Sequence, residues 1–219
     1  SATVIRIWMA RSSKASSDAE DKRSLSFQAL KSDMGAMIAL LLGGGVITWI
    51  LISDGVRDVT YRMAFEMESL YLQDILSLTK TQIGWLMSLS SMTTALLISR
   101  AGALSDRYGE RVGIVGGFAL ISGGVVVFLN SAGFWGCALA WVLFGVGSAL
   151  IGPAYNALIS KTVPKKLRGT AFGLFSTSIG FISLPAPYLG GLLWEKINPQ
   201  APFYLPVVAT VLLLPVMWV

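Results

Sequence analysis

The sequence is poor in charged residues and contains no histidine. Only 13% of its 219 residues are charged, whereas 54% are hydrophobic, and the mean hydropathy is +0.67. Soluble domains carry about 25% charged residues, so a chain with so few cannot cover its surface with groups suited to water. Most of the outer surface must face lipid, and the composition therefore predicts an integral membrane protein.

The lack of histidine and the single cysteine also restrict the chemistry. Histidine is the commonest metal ligand and the usual proton carrier near neutral pH, so proton chemistry must rest on Asp or Glu, and no metal site is expected. Cys137 lies in an apolar run, excludes an intramolecular disulfide, and is expected to be a small buried hydrophobic residue. No nucleotide-binding loop or hydrolase motif is present, so we expect neither a cofactor nor an enzyme.

Six apolar runs follow a polar leader. Residues 1–34 mix both charge signs and predict a solvated cytoplasmic linker. A helix that spans a bilayer needs about 20 mostly apolar residues, and long runs without period-two alternation are helices. The predicted spans cover approximately residues 35–72, 83–99, 112–129, 134–160, 169–194 and 203–219. The first run is too long for one straight span, and three glycines at 43–45 offer a break in it. The predicted fold class is all-α integral membrane, a six-transmembrane-helix bundle over residues 35–219.

The basic residues indicate the orientation in the membrane. Lys and Arg are enriched in cytoplasmic loops, and most of the 17 basic residues lie in the linker or in the loops after the second and fourth spans. They are Arg6, Arg11, Lys14, Lys22, Arg23, Lys31, Arg100, Arg107, Arg111, Lys161, Lys165, Lys166 and Arg168. Six spans place both termini on this side, which predicts a multi-pass protein of the cell membrane with cytoplasmic ends. The net charge of +5 is then a topology signal, and no nucleic-acid partner is expected.

The sharpest motif lies between the second and third predicted spans. The stretch from Gly102 to Arg111 reads G-A-L-S-D-R-Y-G-E-R and predicts a short cytoplasmic loop. Gly102 lets a neighbouring helix approach closely, and Gly109 permits a turn conformation closed to other residues. Asp106 suits a helix N-terminus, where free N–H groups favour an anion. Arg107 and Arg111 are expected to pair with carboxylates and hold the loop against the membrane face.

Two further motifs flank the fifth predicted span. Residues 163–173 read V-P-K-K-L-R-G-T-A-F-G, in which Pro164 ends the preceding helix, Arg168 is basic and Gly169 begins a small-xxx-small packing face. Residues 184–191 read L-P-A-P-Y-L-G-G. In this order and spacing, the three motifs resemble those of the Major Facilitator Superfamily, whose loop signature is G-x-L-[A/S]-D-R-x-G-R-[K/R].

The resemblance covers nearly everything after the linker and departs from the signature at Glu110, where the family usually has a basic residue. The polar leader, and a fourth span without the arginine that the first half of the family often carries, favour the carboxy-terminal half. The resemblance implies one half of the superfamily fold, a 3+3 repeat, in a secondary transporter that moves a small solute by alternating access, coupled to an ion or a proton. The loop motif would then take part in conformational switching.

The two ends of the sequence predict a partner. Ser1 opens the chain without a methionine, and Val219 lies inside an apolar run, so both ends are expected to be cuts through a longer polypeptide. The expected partners are the lipid bilayer, a small-molecule substrate, and the missing amino-terminal six-helix half. A second copy of the chain in a homodimer is the alternative to that half.

Charged residues inside the first predicted span form the main candidate site. Asp54, Asp58, Arg62 and Glu66 follow at intervals of four, which places them on one helical face, and Arg57 lies beside them. Each charge in a span costs roughly 2.5–3.5 kcal/mol on insertion scales, so it requires a reason. In the family this span borders the central substrate cavity, which makes these residues candidates for the substrate and ion pathway. Arg62 can pair with Asp58 on one turn and with Glu66 on the next. A self-paired ion network of this kind that only fixes packing is the alternative.

The fourth predicted span adds two candidates. Pro153 frees a backbone carbonyl, and Tyr155 and Asn156 follow it on a helix that lines the cavity in the family. Asn156 can hydrogen-bond a substrate or brace the kink, and the sequence leaves both readings open.

Other function classes remain as alternatives. A scaffold or sensor that kept the fold without transport is compatible with the sequence. A membrane-embedded enzyme is less favoured because catalytic motifs are lacking. A channel is also less favoured because no repeated segment resembles a selectivity filter.

Overall fold

The structure is a computed structural model that describes residues 46–162 and 183–218. In chain order the elements are α1 (Val46–Leu70), a π-helical turn (Tyr71–Ile75), α2 (Lys80–Tyr108), α3 (Glu110–Leu129), α4 (Phe134–Thr162), α5 (Ala186–Lys196) and α6 (Ala201–Trp218). These residues contain no strand, as expected for an all-α protein. The polar linker, the glycines at 43–45 and the motif residues Pro164, Arg168 and Gly169 lie outside the described residues.

A capping box starts α2 before the apolar run. The Thr79 hydroxyl accepts a hydrogen bond from the backbone N–H of Gln82 at 3.3 Å, and the Gln82 side chain accepts one from the Thr79 N–H at 2.8 Å. Two of the free N–H groups at the helix start are satisfied in this way. The predicted span begins at residue 83, three residues after the start of α2, because the first turn of this helix is polar and an apolar run does not include it.

The loop predicted around Gly102 is wrong in its extent. Helix α2 continues to Tyr108, so Asp106 and Arg107 lie in its last turn and Asp106 does not cap a helix N-terminus. A β-carbon on Gly102 would lie 3.8 Å from that of Pro153, which is an ordinary contact, and α2 continues past this position without a break. Gly109 is the break, with φ of +94° and ψ of 153°, a conformation almost restricted to glycine. The turn conformation predicted for Gly109 is confirmed.

Helices α3 and α4 pack through glycines. A β-carbon on Gly117 would lie 2.5 Å from Ile151 Cγ1 and 2.8 Å from the carbonyl oxygen of Gly147. A β-carbon on Gly147 would lie 2.7 Å from the carbonyl oxygen of Gly117. The two backbones therefore meet directly, as membrane helices with small residues at their interface do.

The core lies where the π-helical turn meets α3, α4 and α6. The buried Tyr71 ring lies 5.1 Å from that of Phe128 and 5.3 Å from that of Phe203, both edge-on. Phe128 also packs edge-on against Trp141 on α4. Cys137 is free and fully buried in this cluster, as predicted. Edge-on ring contacts of this kind stabilise a core beyond the area they bury.

The fifth predicted run contains a turn. Residues 183–185 form this turn, and α5 begins at Ala186, whose N–H donates to the carbonyl of Ser183. Pro185 and Pro187 have no N–H to donate, so a helix restarts there more easily than it continues. Helix α5 then packs tightly on α1, because a β-carbon on Gly190 would overlap the Met63 carbonyl oxygen.

Some of the described helices are long and apolar enough to cross a membrane. Residues Glu110–Leu129 and Phe134–Leu158, with mean hydropathies of 2.3 and 1.9, are long and apolar enough to cross a membrane. Ala186–Lys196 and Ala201–Leu214 satisfy the same criterion only as a pair, with a bend of 119° between them. Two or three spans are thus supported by length and composition. Six ionisable residues in α1 and a Ser/Thr-rich α2 keep those two helices below the criterion.

Candidate functional site

A cavity of about 330 Å³ lies between α1 and α3 and contains most of the charged candidates. Its lining residues are Arg57, Asp58, Tyr61, Arg62, Phe65, Glu66, Phe118 and Ile121. Four of the five residues selected from the first span therefore share one cavity. The fifth, Asp54, belongs to α1, and its side chain lies outside the described part of the structure.

Arg57 is held by aromatic groups from two other helices. Its guanidinium carbon lies 3.5 Å from the centre of the Phe118 ring on α3, close enough for a strong cation–π contact. Its Nη1 also donates to the Tyr155 hydroxyl on α4 at 3.3 Å. The structure therefore brings Arg57 and Tyr155 together, as two candidates of one site. Phe118 was not predicted, because one phenylalanine in an apolar run carries no signal.

Asp58 connects α1 with the turn before α5. One of its oxygens, Oδ2, accepts from Arg62 Nε at 2.8 Å, the i,i+4 pair that the spacing predicted. The same oxygen accepts from Ser183 Oγ, also at 2.8 Å. Ser183 is buried, with 3% of its surface exposed, so Asp58 holds a long-range contact as well as a local one. No pattern in the sequence indicates that Ser183 takes part.

Two candidates do not join the network as predicted. Glu66 lines the cavity, but across the described residues its carboxylate makes no ion pair with Arg62, which turns to Asp58 instead. Asn156 is exposed and lines neither this cavity nor the second one described next. The helix α4 runs through Pro153 without ending. The cavity therefore presents an Asp58–Arg62 pair and, separately, the Glu66 carboxylate.

A second cavity of about 430 Å³ adjoins the first and shares Tyr61, Phe65 and Ile121 with it. It contains the carboxyl group of Glu68, which is buried with 8% of its surface exposed. Glu68 was not selected from the sequence, because it falls outside the four-residue spacing of the charged face. The described residues hold no cluster of side chains suited to a metal ion.

The loop motif meets α4 through an ion pair that the motif alone does not predict. Lys161 Nζ, near the end of α4, donates to the Glu110 carboxylate at the start of α3. Glu110 is the residue at which this chain departs from the superfamily loop signature, and the positive charge of Lys161 neutralises it. The Arg107 guanidinium lies 5.4 Å from the Tyr108 ring centre. Arg111 is exposed.

Comparison with known proteins identifies a family and several relatives with similar sequences. The family model of the Major Facilitator Superfamily matches residues 55–219, which include α1 from Gly55 onwards and every later element. The inner membrane transport protein YajR of Escherichia coli is 32% identical over 123 residues, which cover 56% of this chain and 27% of YajR.

Two other relatives are named for resistance to antibiotics. The quinolone resistance protein NorA of Staphylococcus aureus is 27% identical over 134 residues, covering 61% of this chain and 34% of NorA. The tetracenomycin C resistance and export protein of Streptomyces glaucescens is 29% identical over 140 residues, covering 62% of this chain and 25% of that protein. The chain thus spans only about a quarter to a third of the length of these relatives. None of the three is named as an enzyme.

Proposed function

The chain belongs to the Major Facilitator Superfamily, and we propose that it forms one six-helix half of a secondary transporter that moves a small solute by alternating access. Its membership makes it an integral membrane protein of a family of transporters rather than enzymes. The proposal concerns the solute, the coupling, the six spans and the mechanism. It is supported most directly by the charged cavity between α1 and α3.

The cavity supports transport because its charges are costly in a membrane. Arg57, Asp58, Arg62 and Glu66 all line it, and each charge within a membrane span needs a partner or a purpose. Arg57 is stabilised by Phe118, and Asp58 by Arg62 and Ser183. Glu66 has no such partner among the described side chains, so it is available to a solute or to an ion. We assign the coupling ion, a proton or a metal cation, to Glu66 or Asp58.

The partner of this half is part of the proposal. The relatives are three to four times longer than the stretch that matches this chain, which favours a second six-helix half beside the cavity. A homodimer of this chain is the other arrangement that would close it. In either case α1 and α4, with Tyr155 and Asn156, face the joint cavity, since these helices line it in the family.

The break between α2 and α3 is the proposed switching element. Gly109 turns the chain, and the Glu110–Lys161 pair fastens the start of α3 to the end of α4. Arg107, Arg111, Gly102 and Asp106 lie around this break and are assigned to the same role. The basic residues of the motif place it, in our proposal, on the cytoplasmic side together with both termini.

Export is the direction that we propose. NorA and the Streptomyces protein are named for resistance, and the latter also for export. The export in the name of the Streptomyces protein supports this direction, and the resistance in the name of NorA is compatible with it. A family member with an aromatic and charged cavity is compatible with the same direction.

Transport assays with the full-length protein test the proposal. The protein is reconstituted in proteoliposomes that contain pyranine, and amines, carboxylates and sugars are screened for solute-induced proton movement. Arg62→Ala and Glu66→Gln are expected to lower the initial rate at least about tenfold, because each removes a charge from the cavity. Glu195→Gln on α5, exposed and outside both cavities, serves as the control. If Arg62→Ala and Glu66→Gln both transport normally, the assigned cavity is wrong; if no solute moves at all, a scaffold or sensor is favoured.

A further inference from the structure

The second cavity combines one buried acid with an aromatic wall. Glu68 lines it together with Tyr61, Phe65, Met87, Trp141 and Phe144, which come from α1, α2 and α4. The volume of about 430 Å³ is in the range of small-molecule sites. No candidate residue predicted from the sequence lies in this cavity. Its chemistry therefore requires an explanation of its own.

Glu68 has no cationic partner in the described structure. Arg62 pairs with Asp58 and Lys161 with Glu110, and no ion pair of Glu68 is found among the described side chains. Arg57 and Arg62 line the first cavity rather than the second. A carboxylate that is buried without a counter-ion is unfavourable, and a bound cation removes that penalty.

The aromatic rings form a continuous wall beside this carboxyl group. Tyr61 stacks on Phe65 with ring centres 5.6 Å apart, and Phe65 meets Phe144 edge-on at 5.9 Å. Phe144 in turn meets Trp141 at 5.3 Å. Aromatic faces attract cations, and quaternary ammonium groups are recognised by such rings together with a nearby acid. The thioether of Met87 adds a polarizable, adaptable surface.

The aromatic wall also contains a polar group, the Tyr61 hydroxyl, without a hydrogen-bond partner among the described residues. The Tyr61 hydroxyl is buried, and it makes no hydrogen bond to any described residue. A buried hydroxyl without a partner is costly, and a ligand with an acceptor atom would satisfy it. Tyr61 lines both cavities, so this hydroxyl lies at their junction.

We propose that the second cavity binds a small organic cation, with its ammonium centre at the Glu68 carboxylate and its apolar groups against Phe65, Trp141 and Phe144. The hydroxyl of Tyr61 donates a hydrogen bond to a ligand that carries an acceptor atom. This inference deepens the proposed function and rests on it for movement of the ligand across the membrane, but not for binding. It names a substrate class, an amphipathic amine or quaternary ammonium compound.

Equilibrium dialysis with radiolabelled tetraethylammonium tests the proposal on the full-length protein in lipid nanodiscs. Glu68→Gln keeps the shape of the side chain and removes its charge, and it is expected to weaken binding at least about tenfold. Phe144→Leu keeps an apolar side chain and removes the ring face, and a loss of roughly twofold to fivefold is expected. Glu195→Gln serves as the matched control and is expected to bind like the unaltered protein.

The outcomes separate binding from transport. If the unaltered protein binds no tetraethylammonium, or if Glu68→Gln binds it equally well, the inference is overturned. Should Glu68→Gln fail to fold, as judged from its thermal melting, Phe144→Leu decides, and unchanged binding by that variant overturns the inference. Transport of neutral or anionic solutes without cation binding leaves the proposed function standing and removes the inference alone. Cation binding without movement of any solute supports the inference and contradicts the proposed function.

Discussion

The guanidinium carbon of Arg57 lies 3.5 Å above the centre of the Phe118 ring, so a cation on α1 is held by an aromatic face on α3. The Tyr155 hydroxyl accepts from the same guanidinium and adds α4 to the contact. Three helices, of which α1 and α3 line the candidate cavity, are thus joined through one side chain. A change in that side chain is expected to affect both the cavity and the packing of the helices around it.

Replacement of Arg57 by lysine tests the aromatic contact. Lysine keeps the charge, but it lacks the planar group that stacks on a ring, so we expect a loss of about 1–2 kcal/mol of interaction and a transport rate lower by about tenfold. Initial rates in proteoliposomes measure this effect. Phe118→Leu is expected to behave similarly, because it removes the other partner.

Tyr155→Phe provides the matched control for this site. It keeps the ring and removes only a hydroxyl that accepts at 3.3 Å, so the expected effect is small, below about threefold. A transport rate for Arg57→Lys equal to that of the unaltered protein would show that charge alone suffices at this position.

The contact between Asp58 and Ser183 is expected to stabilise the packing of α1 against the turn before α5. Hydrogen bonds to charged groups contribute about 1.5–3 kcal/mol, and this one joins a part-buried acid to a buried hydroxyl. Asp58→Ala and Ser183→Ala should each lower the thermal stability in detergent. In a double-mutant cycle the two effects should fall short of additivity by at least about 1 kcal/mol.

Arg62→Ala is the comparison for this cycle. Arg62 is half exposed, and its ion pair with Asp58 lies on one helix, so the expected contribution to stability is below about 1 kcal/mol. Additive effects of Asp58→Ala and Ser183→Ala would mean that the 2.8 Å contact contributes nothing measurable.

The close approach of α3 and α4 predicts opposite effects at two adjacent glycines. A methyl group on Gly117 would overlap Ile151 and the backbone of Gly147, so Gly117→Ala should cost about 1–3 kcal/mol and lower the melting temperature. Gly116 has open space around its α-carbon, so Gly116→Ala should be neutral or slightly stabilising. Thermal unfolding of both variants in one detergent decides, and equal melting temperatures would contradict the packing described.

The sequence predicted two of the helices better than the site because a long apolar run directly indicates a helix that can lie in lipid. The runs at 112–129 and 134–160 agree with α3 and α4 within two residues, and the residues that they miss are the polar ends Glu110-Arg111 and Lys161-Thr162. The loop around Gly102 failed for the opposite reason. Its residues are polar, but nothing before Gly109 forces the helix to end.

Within the cavity, the sequence predicted only the charged residues of α1. The spacing of Asp58 and Arg62 on one helix face predicts their pair, because the helix itself brings them together. Phe118 and Ser183 are contributed by other helices and turns, and no local pattern reports a contact across 61 or 125 residues of sequence. Glu68 was visible as a charge, but its cavity depends on rings supplied by α4.

Gly109 provides a prediction about conformation without a steric clash. Its φ of +94° and ψ of 153° belong to a region almost restricted to glycine, although no neighbouring atom would meet an added β-carbon. Gly109→Ala should therefore cost about 1–3 kcal/mol through backbone strain alone. Gly102→Ala is the control, because it lies within α2 and would make only an ordinary contact with Pro153. A drop in melting temperature for Gly109→Ala, with none for Gly102→Ala, is the expected result.

The Glu110–Lys161 pair predicts that the basic residue usual in the family is harmful here when introduced alone. Glu110→Lys would place a second cation beside Lys161, so it should release the start of α3 from the end of α4 and slow transport. The double variant Glu110→Lys, Lys161→Glu restores opposite charges and should recover most of the rate. Because Lys161 is largely exposed, the stability change should stay below about 1 kcal/mol, and the effect should weaken in high salt. A double variant as slow as Glu110→Lys would show that position 110 acts through another group.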